Sequence, residues 1–314
     1  MAGPEGAGDP WLVAVWPGMG SVAFLAGSYL LDKLKVRRAA ELDTNDFFEI
    51  QSVNVKNGVL ASASHPRSLF FEWKHPRGGR DLLIFIGEAQ PSAGGYALCQ
   101  KIIEYASRRG VKRFFTFAAM ATQLQLGTNP RVFAVSTDAA SLAQVTRVGA
   151  EALEDGQISG LNGVLLAAGA ERGLRGTCLL GELPFFAIGL PNPRAAQAVL
   201  ECFTSLANIE IDFTGLEQQA IAVERNLEEL VEQMSQSGEQ DESTDGDEED
   251  SEPEKSRQSD TGPLDARTQR RVEALFSQAR QDRSKAFELK RELDRLGVFK
   301  QYEDRFLDLF RKGE

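Results

Sequence analysis

The first 234 residues alternate short apolar runs with segments in which apolar residues recur every three or four positions. The run at 11–16 predicts a buried strand, and the one-sided apolar pattern at 22–34 predicts a helix. Such alternation is typical of α/β folds, in which helices cover a sheet. Further strands are predicted at 69–73, 82–86, 113–118, 132–136 and 177–180, and further helices at 97–108, 161–172 and 194–207.

Turn residues predict that part of the sheet is antiparallel. Asn57-Gly58 stands between short apolar segments and is typical of a two-residue hairpin turn. The strands at 69–73 and 82–86 are joined through His75-Pro76-Arg77-Gly78-Gly79, which is short enough for a hairpin. The sequence therefore favours a mixed sheet within an α/β fold.

A helix with a narrow apolar seam is predicted from residue 214 onward. Thr214 and Glu217 have the spacing of a capping box at its start. Two interpretations stay open: a last helix lying across its own domain, or a helix that forms a coiled coil with another chain. The seam consists of Leu216, Ala220, Val223, Leu227, Leu230 and Met234.

Charge divides the chain into three zones. Residues 235–260 carry eleven acidic side chains against Lys255 and Arg257, a net charge of −9, and no large apolar residue. Such a segment cannot offset the entropy of ordering by burial, so a disordered linker is predicted at 235–263. The expected domains are an α/β domain at 1–234 and an amphipathic helical tail at 264–314.

The tail has two apolar stripes at helical spacing, which indicate a helical hairpin. The first contains Val272, Leu275, Phe276 and Ala279. The second supplies four candidate partner-contact residues, Phe299, Tyr302, Phe306 and Phe310. Four aromatic side chains on a short helix need a covering surface, either the chain's own body, a sister subunit or an external partner.

Net charge, apolar stretches and cysteine placement exclude several classes of function. The net charge of −11 over 314 residues argues against nucleic-acid binding, which requires a basic face. The acidic N-terminal residues and the lack of a long apolar stretch predict a cytoplasmic protein without membrane contact. Cys99, Cys178 and Cys202 lie in apolar segments and are expected as buried, reduced thiols. No cofactor or metal site is expected.

A glycine-rich loop is the first candidate site for a small ligand. Gly18, Met19 and Gly20 open the pattern G-x-G-x-x-A between a strand and a helix, and Glu41 or Asp43 follows about 20 residues later. Glycines there would let backbone N–H groups approach a phosphate. The same glycines also serve a tight strand-to-helix turn, and Pro17 removes one N–H, so a structural loop is the competing interpretation.

Two similar segments, Gly87-Glu88-Ala89-Gln90 and Gly181-Glu182-Leu183-Pro184, follow apolar strands. Glu88, Gln90 and Glu182 are therefore further ligand candidates at the carboxyl ends of strands. Converging carboxylates could carry out acid and base catalysis, yet no nucleophile motif accompanies them. The competing interpretation is that the glutamates anchor loops by accepting backbone N–H bonds.

Several segments resemble the proteasome assembly chaperone family, in the type of its second chaperone. Pro17-Gly18-Met19-Gly20-Ser21-Val22 is similar to its opening. The resemblance covers about residues 11–234 in order. The other matching segments are Tyr29 to Leu34, Gly87 to Pro91, Gly110 to Arg113, Gly160 to Leu166, Cys178 to Pro184 and Ile209 to Asp212.

This resemblance implies a three-layer sandwich related in architecture to purine nucleoside phosphorylases, homo-oligomers, and proteasome subunits as partners. A non-catalytic, protein-binding role follows, with a small-ligand or nucleotide enzyme as the alternative. Archaeal relatives often end in a hydrophobic residue, a tyrosine and one last residue that dock on the proteasome. This chain ends Phe310-Arg311-Lys312-Gly313-Glu314, which departs from that form.

Overall fold

The computed structural model describes residues 8–49, 53, 55–60, 65–240 and 266–281, together with positions 289, 292, 293, 302, 305 and 306. The acidic segment 241–265 lies outside the described residues. A mixed sheet of eight strands forms the centre of this described part. The strands are β1 (Trp11–Val15), β2 (Arg37–Leu42), β5 (Ser68–Trp73), β6 (Leu82–Gly87), β7 (Arg113–Thr122), β8 (Val132–Ser136), β9 (Glu151–Ala152) and β10 (Arg175–Pro184), with β3 (Val55–Lys56) and β4 (Val59–Leu60) as a separate hairpin.

The strand order in the sheet is β2-β5-β6-β1-β7-β10-β8-β9. The four central strands β6, β1, β7 and β10 run parallel. Strands β1 and β6 are buried throughout, and β10 is buried after its first residue, whereas residues 118–122 of β7 are half-buried. The apolar sequences of β1 and β6 suit strands that are covered on both faces. Strands β5 and β8 are antiparallel to their inner neighbours β6 and β10, which confirms the predicted mixed sheet.

Helices cover both faces of the sheet, so the predicted α/β sandwich is confirmed. Helices α1 (Val22–Lys33), α3 (Ala139–Thr146), α5 (Pro193–Ala207) and the start of α6 (Thr214–Gln240) contribute to the apolar core on one face. Helices α2 (Gly95–Arg108) and α4 (Gly160–Glu171) contribute to the core on the other. Each core joins large side chains of a helix layer to those of the central strands.

The strands and helices predicted for the α/β domain are present, and strands β2 and β9 and helix α3 are additions that were not predicted. Strand β2 was not predicted because its sequence RRAAEL has a single large apolar residue, as suits an edge strand with one neighbour. Helix α3 was also missed. Its signal is Asp138, whose carboxylate accepts the Ser141 N–H at 2.8 Å as an N-cap. Strands β7 and β10 each extend to ten residues, beyond the predicted ends.

The predicted turns form as expected, whereas the predicted capping box is wrong. Asn57 and Gly58 both have positive φ, 52° and 75°, as a type I′ hairpin turn requires. At the start of α6 the Glu217 N–H donates to the Phe213 carbonyl. The cap acceptor is Asp212, which receives the Thr214 N–H at 3.0 Å and its hydroxyl at 2.6 Å.

All three cysteines lie within the described residues and are buried and free. Burial raises the pKa of Cys99 and Cys178 to about 12, and that of Cys202 to about 11. The thiols are therefore neutral, and the expectation of buried, reduced cysteines is confirmed.

The chain divides into two compact units, Met1–Asn226 and Leu227–Glu314, and the division falls inside α6. Helix α6 continues to Gln240, past the domain end predicted at residue 234. In the second unit, α7 (Ala266–Gln281) buries Val272 and Phe276. This is the first stripe predicted for the tail.

Candidate functional site

The glycine loop is bound to the loop that follows β10. Gly20 has φ +59°, and its N–H donates to the Ile188 carbonyl at 2.9 Å. Its own carbonyl accepts the Asn192 N–H at 2.7 Å, while the Asn192 side chain caps α5. A Cβ at Gly20 would lie 2.5 Å from Leu183. Glycine is therefore needed here for both the left-handed backbone and the close approach.

This geometry contradicts the dinucleotide fingerprint. A Rossmann unit places the acidic residue at the end of the strand next to β1. Here β1 lies between β6 and β7, and β2, which carries Glu41 and precedes Asp43, is the edge strand three positions away. The Gly20 N–H is also occupied by Ile188. The Gly20 backbone therefore has the structural role that the competing interpretation gave it, and whether Gly18, Met19 and Gly20 also bind a small ligand stays a prediction.

Gln90 connects this loop to the start of α4. Its Nε2 donates to the Pro17 carbonyl at 2.8 Å, and its Oε1 accepts the Leu161 N–H at 3.0 Å. A Cβ at Gly160 would lie 2.8 Å from the same Oε1, and Gly160 has φ +71°. The side-chain amide thus satisfies backbone groups of two segments at the strand ends, which fixes their spacing.

Glu182 lies buried next to the end of β10 and is bound by Arg131. Its carboxylate accepts the Arg131 backbone N–H at 3.1 Å, Nε at 3.0 Å and Nη2 at 2.7 Å, and the Thr122 hydroxyl at 2.7 Å. The Glu182 residue is 3% exposed. Hydrogen bonds from Arg131 lower the pKa of Glu182 to about 2, against the opposing effect of burial.

Glu88 repeats this arrangement at the end of β6. Its carboxylate accepts the Arg67 backbone N–H and Nε, both at 2.8 Å. Burial raises the pKa of Glu88, but hydrogen bonds from Arg67 outweigh that effect and lower it. Unlike Glu182, this carboxylate is about one-third exposed. We call these two arrangements the Glu88 pair (Arg67 and Glu88) and the Glu182 pair (Arg131 and Glu182).

The two pairs have one origin in the topology. In each, the glutamate backbone N–H donates to the arginine carbonyl at 2.9 Å. Arg67 immediately precedes β5 and Arg131 immediately precedes β8, the antiparallel neighbours of β6 and β10. Both glutamates accept a backbone N–H, as the loop-anchor interpretation predicted. Whether either binds a ligand stays a prediction.

The geometry does not support a catalytic pair of carboxylates. Strands β6 and β10 are separated by β1 and β7. Three strand spacings place the two glutamates about 14 Å apart. Each carboxylate is also neutralised by its own arginine. The two groups therefore cannot act on one bond as acid and base.

Exposed apolar side chains near the strand ends were largely missed by sequence reasoning. Met19, Phe186 and Leu190 are 41%, 41% and 44% exposed, and they lie on the two loops joined through Gly20. We call these three residues the loop surface. Only Met19 was among the candidates. The single signal in the sequence is the apolar run after Pro184, which reads as strand or core rather than as an exposed turn.

The hairpin β3–β4 also exposes apolar side chains. Val55, Val59 and Leu60 are 65%, 69% and 65% exposed. Val55 and Leu60 are directly opposite each other in its ladder. This forms a second exposed apolar patch, which we call the hairpin surface.

The tail candidates fall into two groups. Phe306 is 1% exposed, and the Tyr302 ring lies 5.8 Å from that of Phe276 on α7. Arg305 donates hydrogen bonds from both terminal nitrogens to the carboxylate of Glu273, also on α7. The second stripe therefore packs against the first within this unit. Phe299 and Phe310 lie outside the described residues.

The remaining candidate chemistry is sparse in the described part of the chain. His75 Nδ1 accepts the Gly79 N–H at 2.9 Å and shapes the turn before β6. No group of three or more metal-ligating side chains occurs among the described residues. None of the helices described is both long enough and apolar enough to cross a bilayer.

A family model described as the PAC2 family matches residues 12–231. The chain belongs to the PAC2 family. A Methanocaldococcus jannaschii protein, MJ1210, is 28% identical over 222 residues, which is 70% of this chain and 82% of that protein. The match spans the sheet and both helix layers, in agreement with the family resemblance seen in the sequence.

Two solved structures are similar in fold. Pyrococcus furiosus PbaB, described as an archaeal proteasome activator, has a TM-score of 0.62 and 28% identity over 73% of this chain and 96% of its own. A PAC2 family protein from Streptomyces avermitilis has a TM-score of 0.62 at 23% identity, covering 71% of this chain and 96% of its own.

Proposed function

We propose that this protein binds proteasome subunits and assists their assembly, as a non-catalytic chaperone of the PAC2 family. The match of the family model to residues 12–231 carries the proposal. The 28% identity to PbaB, named a proteasome activator, supports the choice of partner. The proposal implies a cytoplasmic location.

The site geometry favours binding over catalysis. The strand-end carboxylates of Glu88 and Glu182 are bound to arginines, which keeps both ionised and unsuited to proton transfer near neutral pH. The backbone of the glycine loop is hydrogen-bonded to the loop after β10. What the strand ends offer instead is the loop surface, apolar and held on a rigid backbone. Exposed apolar patches are typical of protein-binding sites.

We also propose that the protein is a homo-oligomer and that its hairpin surface makes the self-contact. An isolated two-stranded hairpin is marginally stable in water. The hairpin surface exposes its cross-strand pair of Val55 and Leu60. Burying this pair against a second copy would stabilise the hairpin and leave the loop surface free for a proteasome subunit.

Assembly of purified proteasome subunits from the same source tests the function. We expect the parent chain to accelerate formation of the α-ring or core particle on native gels. The change Phe186→Ser with Leu190→Ser should remove that acceleration, because it removes two of the three apolar side chains of the loop surface. The matched control, Val59→Ser with Leu60→Ser, should retain binding to subunits but lower the molar mass measured by light scattering.

Three results would each contradict part of the proposal. A parent chain that binds neither free α-subunits nor the assembled particle removes the proteasome as partner. Acceleration that survives loss of Phe186 and Leu190 removes the loop surface as the contact. Binding only to the mature particle, with a change in peptide hydrolysis, would replace an assembly role by an activator role.

A further inference from the structure

Arg113 is a buried arginine at the amino end of the sheet that none of the sites above uses. It is the first residue of β7 and is 2% exposed. Its guanidinium carbon lies 4.7 Å from the Trp11 ring and 4.9 Å from the Phe115 ring. Nη1 donates to the Gln144 side chain. Nε and Nη2 are buried and have no hydrogen-bond partner among the described residues.

Those two nitrogens form the side-on edge that binds carboxylates elsewhere in this protein. Nε and Nη2 of Arg131 contact Glu182 at 3.0 and 2.7 Å. The same atoms of Arg194 contact Glu224 at 2.8 and 2.7 Å. This edge matches the two oxygens of a carboxylate or phosphate. In Arg113 it is equally formed, but buried and unpaired, which is costly for a charged group.

The surroundings of Arg113 hold charges of both signs, since Arg80 and Asp138 act on it and Arg80 itself donates from Nη1 to the Asp9 carbonyl at 3.1 Å. The Arg80 guanidinium lies 4.8 Å from the same Trp11 ring, so two cations share one indole. The facing acid is Asp138, but its oxygens already accept the Ser141 N–H and hydroxyl at 2.8 and 2.7 Å. Burial lowers the pKa of Arg113 to about 10; Asp138 opposes this effect, and Arg80 adds to it.

We propose that the Nε–Nη2 edge of Arg113 binds an oxyanion, a carboxylate or a phosphate, between the sheet and Arg80. Such an anion would satisfy the two unpaired donors of Arg113 and balance its buried charge. Arg80 is the partly exposed member of the two and follows the turn at 75–79, so we expect the anion to enter from its side. The site lies at the opposite end of the strands from the Glu88 and Glu182 pairs.

Calorimetric titration of the full chain tests this site. Inorganic phosphate is titrated in one arm and succinate in the other, in chloride buffer at constant ionic strength. We expect saturable binding of at least one anion with one site per chain. Arg113→Met retains the aliphatic stem and should weaken binding by about tenfold or more. The control Arg108→Met removes an arginine whose side chain is 75% exposed and should leave binding unchanged.

The two arms distinguish the source of the anion. Stronger binding of phosphate indicates a phosphate group, and stronger binding of succinate indicates a carboxylate, as on an acidic side chain or a chain terminus. If Arg113→Met does not fold, Arg80→Met should show the weakened binding instead. Absence of saturable binding in both arms, or equal binding by the parent and the folded Arg113→Met protein, overturns the proposal.

Discussion

The Glu88 pair and the Glu182 pair are the same local structure at two depths in one sheet. Both use a glutamate after a parallel strand and an arginine before its antiparallel neighbour. The Glu182 carboxylate is almost fully covered and has a second partner residue, Thr122, whereas the Glu88 carboxylate is partly exposed and is bound by Arg67. The energetic value of such an ion pair is therefore set by solvent access more than by its hydrogen-bond pattern.

Removal of Arg131 should have the largest effect. Arg131→Met leaves the buried Glu182 carboxylate without its main donors, so we expect a loss of about 3 kcal/mol in the free energy of unfolding. Urea denaturation monitored by circular dichroism measures it. The control Arg131→Lys keeps the positive charge but lacks the side-on geometry. Its loss of unfolding free energy should lie between zero and that of Arg131→Met. A loss below about 1 kcal/mol would show that the two pairs are equivalent after all.

The second-largest difference between the two pairs is expected in how stability depends on acidic pH. The folded-state pKa of Glu182 is depressed to about 2 from 4.5, so its contribution is present above pH 4.5 and is lost as the pH falls toward 2. Glu182→Gln should therefore flatten the decline of the urea midpoint across this window. Glu88→Gln should flatten it less, because its pKa is also lowered but its carboxylate is more exposed. Equal flattening by both variants would contradict the comparison.

The Glu182 carboxylate also accepts a hydrogen bond from the Thr122 hydroxyl, and the Glu88 pair has no matching contact among the described hydrogen bonds. Thr122→Val removes the 2.7 Å hydrogen bond to Glu182 and the acceptor for the Leu124 N–H. We expect a cost of about 1 kcal/mol in unfolding free energy. Thr128→Val is the matched control, since its hydroxyl bonds only the Gln125 carbonyl in an exposed turn. If the control costs as much, the bond to Glu182 adds nothing specific.

The smallest effect is expected at the exposed pair. Arg67→Met should cost less than about 1 kcal/mol in unfolding free energy, because the pair is open to solvent. The cost should shrink further at high salt, which screens exposed charges. Chemical denaturation in urea at low and high sodium chloride measures both. A salt-independent loss as large as that of Arg131→Met would mean that burial does not distinguish the pairs.

Sequence patterns predicted the central strands because continuous apolar runs are buried only inside a sheet that is covered on both faces. They predicted most of the helices because apolar residues recur at helical spacing on one side. The edge strand β2 was not predicted, because a strand at the edge of a sheet needs few apolar residues. The two glutamates were visible as a repeated Gly-Glu after a strand. Their arginine partners lie 21 and 51 residues away in sequence, and only the strand pairing brings them together. Pairing, not local pattern, therefore decides the chemistry of these glutamates.

The three buried cysteines allow the opening of each helix layer and of the sheet to be measured separately. Cys99, on α2, belongs to the core on one face of the sheet, and Cys202, on α5, belongs to the core on the other. A neutral, covered thiol reacts with an alkylating reagent only after its surroundings open. The rate of modification at each position, read by peptide mass, therefore reports how often each layer separates from the sheet. Cys178 in β10 reports the opening of the sheet itself.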